Sequence, residues 1–87
     1  MRKGDVVAIL WQDSVAPLNA VWLTRDDIDD ELPLVMTVGR VVKQNKTSVT
    51  VAGSWGPGDP DSQLGGVMTI PKRTIVGTPQ KIRIERG

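Results

Sequence analysis

The sequence predicts a mainly β domain: a small barrel of five or six short strands with one short acidic helix. Three observations carry that prediction. Residues 34–55, LVMTVGRVVKQNKTSVTVAGSW, hold two Val- and Thr-rich runs on either side of a polar stretch at 44–47, and branched Cβ atoms favour extended backbone. Further strand-like runs, apolar at 6–11, short at 67–70 and alternating Ile with charge at 81–85, are separated by Gly, Pro and Asp. A chain of 87 residues, 39% of them apolar, is enough for one domain with one small core.

Composition narrows the chemistry. There is no Cys, so no disulfide, and no His, which removes the common zinc ligand sets and nearly all nucleophilic triads. No metal and no cofactor is expected. Three Trp with no Phe or Tyr leave aliphatic side chains to fill most of the core. The longest apolar run, residues 6–11, follows Asp5 and is too short for a signal-peptide core or a membrane span. A cytoplasmic protein without membrane contact is the expectation. The net charge of +1 is unevenly spread: residues 25–31, RDDIDDE, carry −4, so the remainder carries +5. Lys72, Arg73, Lys81, Arg83 and Arg86 crowd the C-terminal quarter.

In chain order, Gly4-Asp5 leads into VVAILWQD, a first strand, apolar on both parities and so buried on both sides or placed at a barrel seam. Trp11 is expected to fill core. Residues 14–33 form a long connection, with Pro17 breaking its first part. Thr24 and Asp27 have the spacing of a capping box, and acids crowd the first turn, where the helix dipole favours them. Pro33 ends the segment. A helix over 25–32 follows, with Ile28 and Leu32 docking on the barrel. Its DDIDDE run lacks the glycine and alternation of a calcium loop, so it reads as a solvated helix face.

For the central hairpin, Asn45-Lys46 predicts a two-residue turn. Gln44 then faces Thr47, Lys43 faces Ser48 and Val42 faces Val49. Val49 and Val51 point inward, while Lys43, Ser48 and Thr50 point to water. Met36, Val38 and Val42 share one parity, but so does Arg40. Either a bulge or bend at Gly39 turns Val41 inward, or Arg40 sits where the barrel opens to solvent. The expected core is Val7, Ile9, Trp11, Met36, Val38, Val42, Val49, Val51, Met68, Ile70, Ile75 and Ile82.

Residues 53–66, GSWGPGDPDSQLGG, read as an irregular loop and not a phosphate loop, because no Gly-Lys-Ser/Thr ending follows. A short strand at 67–70 leads into Pro71-Lys72-Arg73-Thr74, read as one 3₁₀ turn. A strand resumes at 75–76, and Thr78-Pro79 breaks it. In KIRIE, residues 81–85, the isoleucines alternate with charges, as on an edge-protected surface strand.

The strand, Pro, single turn, strand order of IPKRTIV is similar to a corner of SH3 barrels. The layout as a whole resembles the SH3-like or Sm-like small barrel over nearly the full chain. The tyrosines with which eukaryotic SH3 domains hold proline-rich peptides are absent, and neither the RNA-contacting signature nor the N-terminal helix of Sm proteins is matched. GDVVAILWQD, Trp22 before the acidic helix, TVGRVV, VTVAGSWG and the IPKR corner resemble pieces of small barrels encoded by bacteriophages. That resemblance implies an oligomer in the cytoplasm of a bacterial host and, at the level of class, a binder of nucleic acid or of signalling nucleotides.

The functional expectation is therefore a non-enzymatic binding protein for nucleic acid or a nucleotide. Ligand contact is placed at Trp55, Lys72 and Arg73: the indole stacks on a base and the cations pair with phosphate. The other reading of Trp55 is that it folds back to cap the barrel, leaving Lys72 and Arg73 as solvating charges. The alternative function is a protein-interaction or assembly module. It would assemble without a small ligand. On either reading a homo-oligomer is expected, the acidic helix of one subunit near the basic C-terminal strand of the next, with a host protein as a further partner. Enzymatic acid–base work would fall to Asp, Glu or Lys alone. Asp13, beside Trp11, reads as a solvated strand end, so no catalytic residue is expected.

Overall fold

Alternating apolar residues, Val7, Ile9 and Trp11 in one run and Val49 and Val51 in another, face inward. In a computed structural model that describes residues 1–13, 33–58 and 63–84, five strands form one antiparallel sheet. They are β1 (Val6–Gln12), β2 (Leu34–Gln44), β3 (Ser48–Trp55), β4 (Leu64–Pro71) and β5 (Gln80–Ile82), in the spatial order β4-β3-β2-β1-β5. The mainly β expectation holds. The helix expected over 25–32 lies outside the described residues. A 3₁₀ turn, Lys72–Thr74, follows β4 as expected, closed by the Ile75 amide donating to the Lys72 carbonyl at 3.1 Å.

β2 has two partners in succession. Its first part pairs with β1, from Leu34 opposite Gln12 to Arg40 opposite Val6. Its last part pairs with β3, from Arg40 opposite Ala52 to Gln44 opposite Val49. Beyond β1, the Val41 amide donates to the Asp5 carbonyl and the Gly4 amide to the Val41 carbonyl, both at 2.8 Å. At this handover β3 runs close against β2. A Cβ on Gly39 would stand 2.9 Å from the Ala52 carbonyl oxygen and 3.1 Å from Val51 Cβ, closer than real side chains approach a backbone. Glycine is therefore required here by lack of space, not by an unusual φ.

The inward row of β2 is Val35, Thr37, Gly39 and Val41, of which Val41 is fully buried. Of the two readings of Arg40, the structure bears out the one that turns Val41 inward. The irregularity falls elsewhere, however: register runs unbroken through Gly39 and shifts between Val41 and Lys43. The bulge at Val42 lets Arg40 and Lys43 occupy the same outer face with two residues between them. Without it, Lys43 would point into the core.

Several sequence expectations are corrected by this register. Met36 and Val38 are on the outer face, 60% and 53% exposed, and are not core residues. Val42 is half-buried at the bulge. Met68 lies opposite buried Val51 yet is itself exposed. The turn is not a two-residue loop. The Asn45 carboxamide oxygen accepts the amides of Thr47 and Ser48, both at 2.9 Å, and the Asn45 amide donates to the Ser48 carbonyl at 2.9 Å. An Asx-type turn over one more residue results, so Lys43 pairs with Thr50 and Gln44 with Val49. Thr50 does not face water. It is buried, its hydroxyl 2.9 Å from that of Thr69.

The core that does form is Val7, Ile9, Trp11, Val41, Val49, Val51 and Ile70, with Val35 and Ile75 packed against it. Trp11 fills core as expected, and its indole N–H donates to Thr37 Oγ1 at 2.9 Å. Ile75 makes a single bridge to Trp11 in place of a resumed strand. Ile82 is half-buried, whereas Ile84 lies beyond β5 and is exposed. The loop expected over 53–66 is narrower, because β3 continues to Trp55 and β4 begins at Leu64.

The crossing at Gly39 gives a direct expectation. Gly39→Ala overpacks a backbone contact and lowers stability by about 1–3 kcal/mol in urea unfolding. Gly58→Ala, with no atom within 4 Å of the added carbon, changes it by less than about 0.5 kcal/mol. Equal midpoints for the two variants would show that β3 does not pass this close to β2.

Candidate functional site

Antiparallel pairing places the start of β3 beside the end of β4, with Ser48 opposite Pro71. The β2–β3 turn and the 3₁₀ corner therefore meet. The Lys72 amide donates to the Thr47 carbonyl at 2.8 Å, and Thr74 Oγ1 donates to the Pro71 carbonyl at 2.7 Å. Between the two loops lies a cleft of about 450 Å³ lined by Lys46, Thr47, Ser48, Pro71, Lys72 and Arg73. Three of the six are cations and none is an acid. Lys46 and Arg73 are exposed, and Lys72 is half-buried. The hydroxyls of Thr47 and Ser48 donate to Asn45 Oδ1 at 3.1 and 3.2 Å, so the turn that presents Lys46 is itself fixed.

Lys46 was not among the sequence-predicted site residues. Its signal was available: if β3 and β4 form a hairpin, the turn before the one and the Pro corner after the other are neighbours.

Trp55 does not join Lys72 and Arg73. It pairs with Leu64 at the opposite end of β3, roughly 23 Å from Ser48 at 3.3 Å per residue. The expected neighbourhood of Trp55 with the 3₁₀ corner is thus corrected: the corner meets the start of β3, and Trp55 ends it. The indole is half-buried and lines a separate shallow depression of about 640 Å³ with Ser54, Gly56, Pro57, Gln63, Leu64 and Gly65. The Arg40 guanidinium carbon stands 5.7 Å from the ring centroid, within cation–π range. Trp55 is neither a bare stacking platform nor a core residue.

The other C-terminal cations are dispersed. Lys81 Nζ is 3.3 Å from Asp5 Oδ1. The Arg2 amide donates to Asp5 Oδ2 at 3.0 Å. That hydrogen bond is the largest influence and holds the Asp5 carboxyl below the usual carboxylate range, against the opposing effect of burial and with a smaller contribution from Lys81. Arg83 is exposed beyond β5. Arg86 and the acidic run 25–31 lie outside the described residues, as does the contact expected between that run and a neighbouring subunit. Among the described residues, no group of three or more Asp or Glu side chains converges as a metal site would require, and no helix is long and apolar enough to cross a membrane. Comparison with protein-family models, curated proteins and solved structures returns no match.

Asp5 sets a pH dependence. A carboxyl whose pKa is depressed on folding adds stability above its unfolded value and loses it as pH falls through the lower native value. Wild type is therefore expected to exceed Asp5→Asn in stability at pH 7, with the gap closing below about pH 4. A gap that persists unchanged into strong acid, in thermal melts across pH, would contradict the assignment.

Proposed function

We propose that the protein is a non-enzymatic binding protein, and that its ligand carries phosphate: nucleic acid or a nucleotide, held at the cleft between the β2–β3 turn and the 3₁₀ corner. One observation carries this reading. Three cations from two fixed loops line one cleft, and no acid in the lining offsets them. Lys supplies a compact charge for phosphate, and Arg a planar fork that pairs with two of its oxygens. Thr47 and Ser48 add hydroxyls at the same edge.

The fold reading that accompanies it is a small barrel of SH3-like or Sm-like kind. It is supported by the succession of partners along β2, the 3₁₀ corner, and the bridge that carries Ile75 back to Trp11. Small barrels often bind ligands on their strand faces and loops. The resemblance to phage-encoded barrels belongs to the same proposal and points to the same ligand class.

Trp55 separates the two ligands. A single strand of several nucleotides can bridge the distance from the cleft to the indole, while a mononucleotide reaches the cleft alone. Trp55→Ala is then expected to weaken an oligonucleotide and leave a mononucleotide unchanged. A second reading, an assembly module that takes no small ligand, is favoured by the apolar outer row of β2.

The test is fluorescence anisotropy of a labelled oligothymidylate against salt. Pairing of three phosphates predicts log affinity falling with a slope of about −2 against log salt. The double substitution Lys72→Ala with Arg73→Ala flattens that slope and costs roughly 10-fold or more in affinity at about 50 mM salt. Absence of binding at that salt, or binding indifferent to salt, would sink the proposal.

A further inference from the structure

The depression at the far end of β3 sets an aromatic ring beside a side-chain amide. Trp55 pairs with Leu64, and the Gly56 amide donates to the Gln63 carbonyl at 2.9 Å, so residues 55–56 and 63–64 face each other. The Gln63 side chain is exposed and folds back over Gly56. A Cβ at position 56 would stand 3.1 Å from Gln63 Oε1 and 3.3 Å from Gln63 Cβ. Glycine at 56 therefore makes room for the carboxamide one residue from the indole. That carboxamide makes no hydrogen bond to another described residue. The indole lines the same depression, with the Arg40 guanidinium carbon 5.7 Å from its ring centroid. Among the described residues of the lining, none is charged.

We infer that this depression is a base-reading subsite, and that adenine is the base it prefers. The lining suits an uncharged planar ring with a polar edge: ring surface from Trp55, apolar walls from Pro57 and Leu64, and hydrogen bonding from Gln63. A phosphate finds no cation in that lining, and an aliphatic chain would cover the carboxamide without pairing it. Stacking accepts any base, so Trp55 supplies affinity and Gln63 supplies choice. A carboxamide presents one donor and one acceptor side by side. Adenine offers the complementary pair on two edges, N6–H with N1 and N6–H with N7. Guanine, cytosine and thymine offer such a pair on the Watson–Crick edge alone. A purine also covers more of the indole than a pyrimidine does.

The inference rests on the reading of the basic cleft as a phosphate site, because it takes both places as contacts of one single strand. Trp55 lies roughly 23 Å along β3 from the cleft, a span that suits the several nucleotides a small barrel commonly occupies. Arg40 lies opposite Ala52, between the two places along β3, and adds a cation there. Thymine engages the subsite weakly, so an oligothymidylate is held mainly by its phosphates.

Two titrations test the assignment. In the first, an oligoadenylate and an oligothymidylate of equal length compete with a labelled oligothymidylate at fixed salt. The oligoadenylate is expected to bind about 5-fold tighter. Gln63→Ala is expected to abolish that preference and to change oligothymidylate binding little, while Trp55→Ala weakens the oligoadenylate about 5-fold or more. Circular dichroism checks that both variants fold, and exposed Gln63 can be truncated without touching the core. In the second, adenosine, which carries no phosphate, is expected at millimolar concentration to shift the Trp55 indole and Gln63 carboxamide resonances, and thymidine to shift them much less. Equal binding of the two oligonucleotides, or a preference that survives Gln63→Ala, overturns the inference and leaves a salt-dependent cleft standing. Adenosine that leaves residues 54–57 and 63–65 unmoved overturns it too. Adenosine shifts at Trp55 and Gln63 without any salt-dependent oligonucleotide binding would instead refute the cleft and keep the base subsite.

Discussion

The carbonyl oxygen of Ala52 stands 2.9 Å from where a side chain at position 39 would begin, and much of the molecule follows from that crossing. β2 is long enough to serve two partners, but it can do so only if β3 passes close where β1 hands over. Gly39 makes the approach possible and fixes which parity of β2 faces inward. Val41 then enters the core beside Val51, and Leu34, Met36 and Val38 are turned outward. The bulge at Val42 completes the arrangement. It resets the count so that Lys43 stays outside, which a strictly alternating strand could not do after an inward Val41.

The same antiparallel order separates the chemistry on the surface. The β2–β3 turn and the 3₁₀ corner come together because β4 returns along β3, and their cations meet. Trp55 ends up at the far end of the same strand pair, with Arg40 over its ring. The outer row of β2 lies on strands that contribute nothing to the cleft. Three cations thus meet at one end of the β3–β4 pair, while the exposed row Leu34, Met36 and Val38 lies on the first part of β2.

Much of the fold was legible in the sequence. The strands, the hairpin, the 3₁₀ corner at Pro71 and the burial of Trp11 are local consequences of β-branching, turn chemistry and a ring that fixes φ. Register was less legible. The outward row Leu34, Met36, Val38 is more hydrophobic than the inward row Val35, Thr37, Gly39, so a reading by hydropathy chooses the wrong face. Thr37 belongs inside because it accepts the Trp11 indole N–H, and Gly39 because only hydrogen fits. Neither reason is visible in a hydropathy pattern. The Asn45 turn misled in a similar way, since its side chain organises one more residue than a two-residue loop needs. The place of Lys72 and Arg73 on the 3₁₀ corner is legible from Pro71, but their nearness to Lys46 and their distance from Trp55 require the β3–β4 pairing.

The central claim is that the Lys46, Lys72 and Arg73 cleft is the ligand surface and is distinct from the outer face of β2. Amide chemical-shift mapping during titration with an oligothymidylate tests it most directly. The account predicts perturbations concentrated at residues 46–48 and 71–73, with Leu34, Met36 and Val38 unmoved at constant protein concentration. Perturbations centred on that outer row, with the turn and the 3₁₀ corner silent, would contradict it.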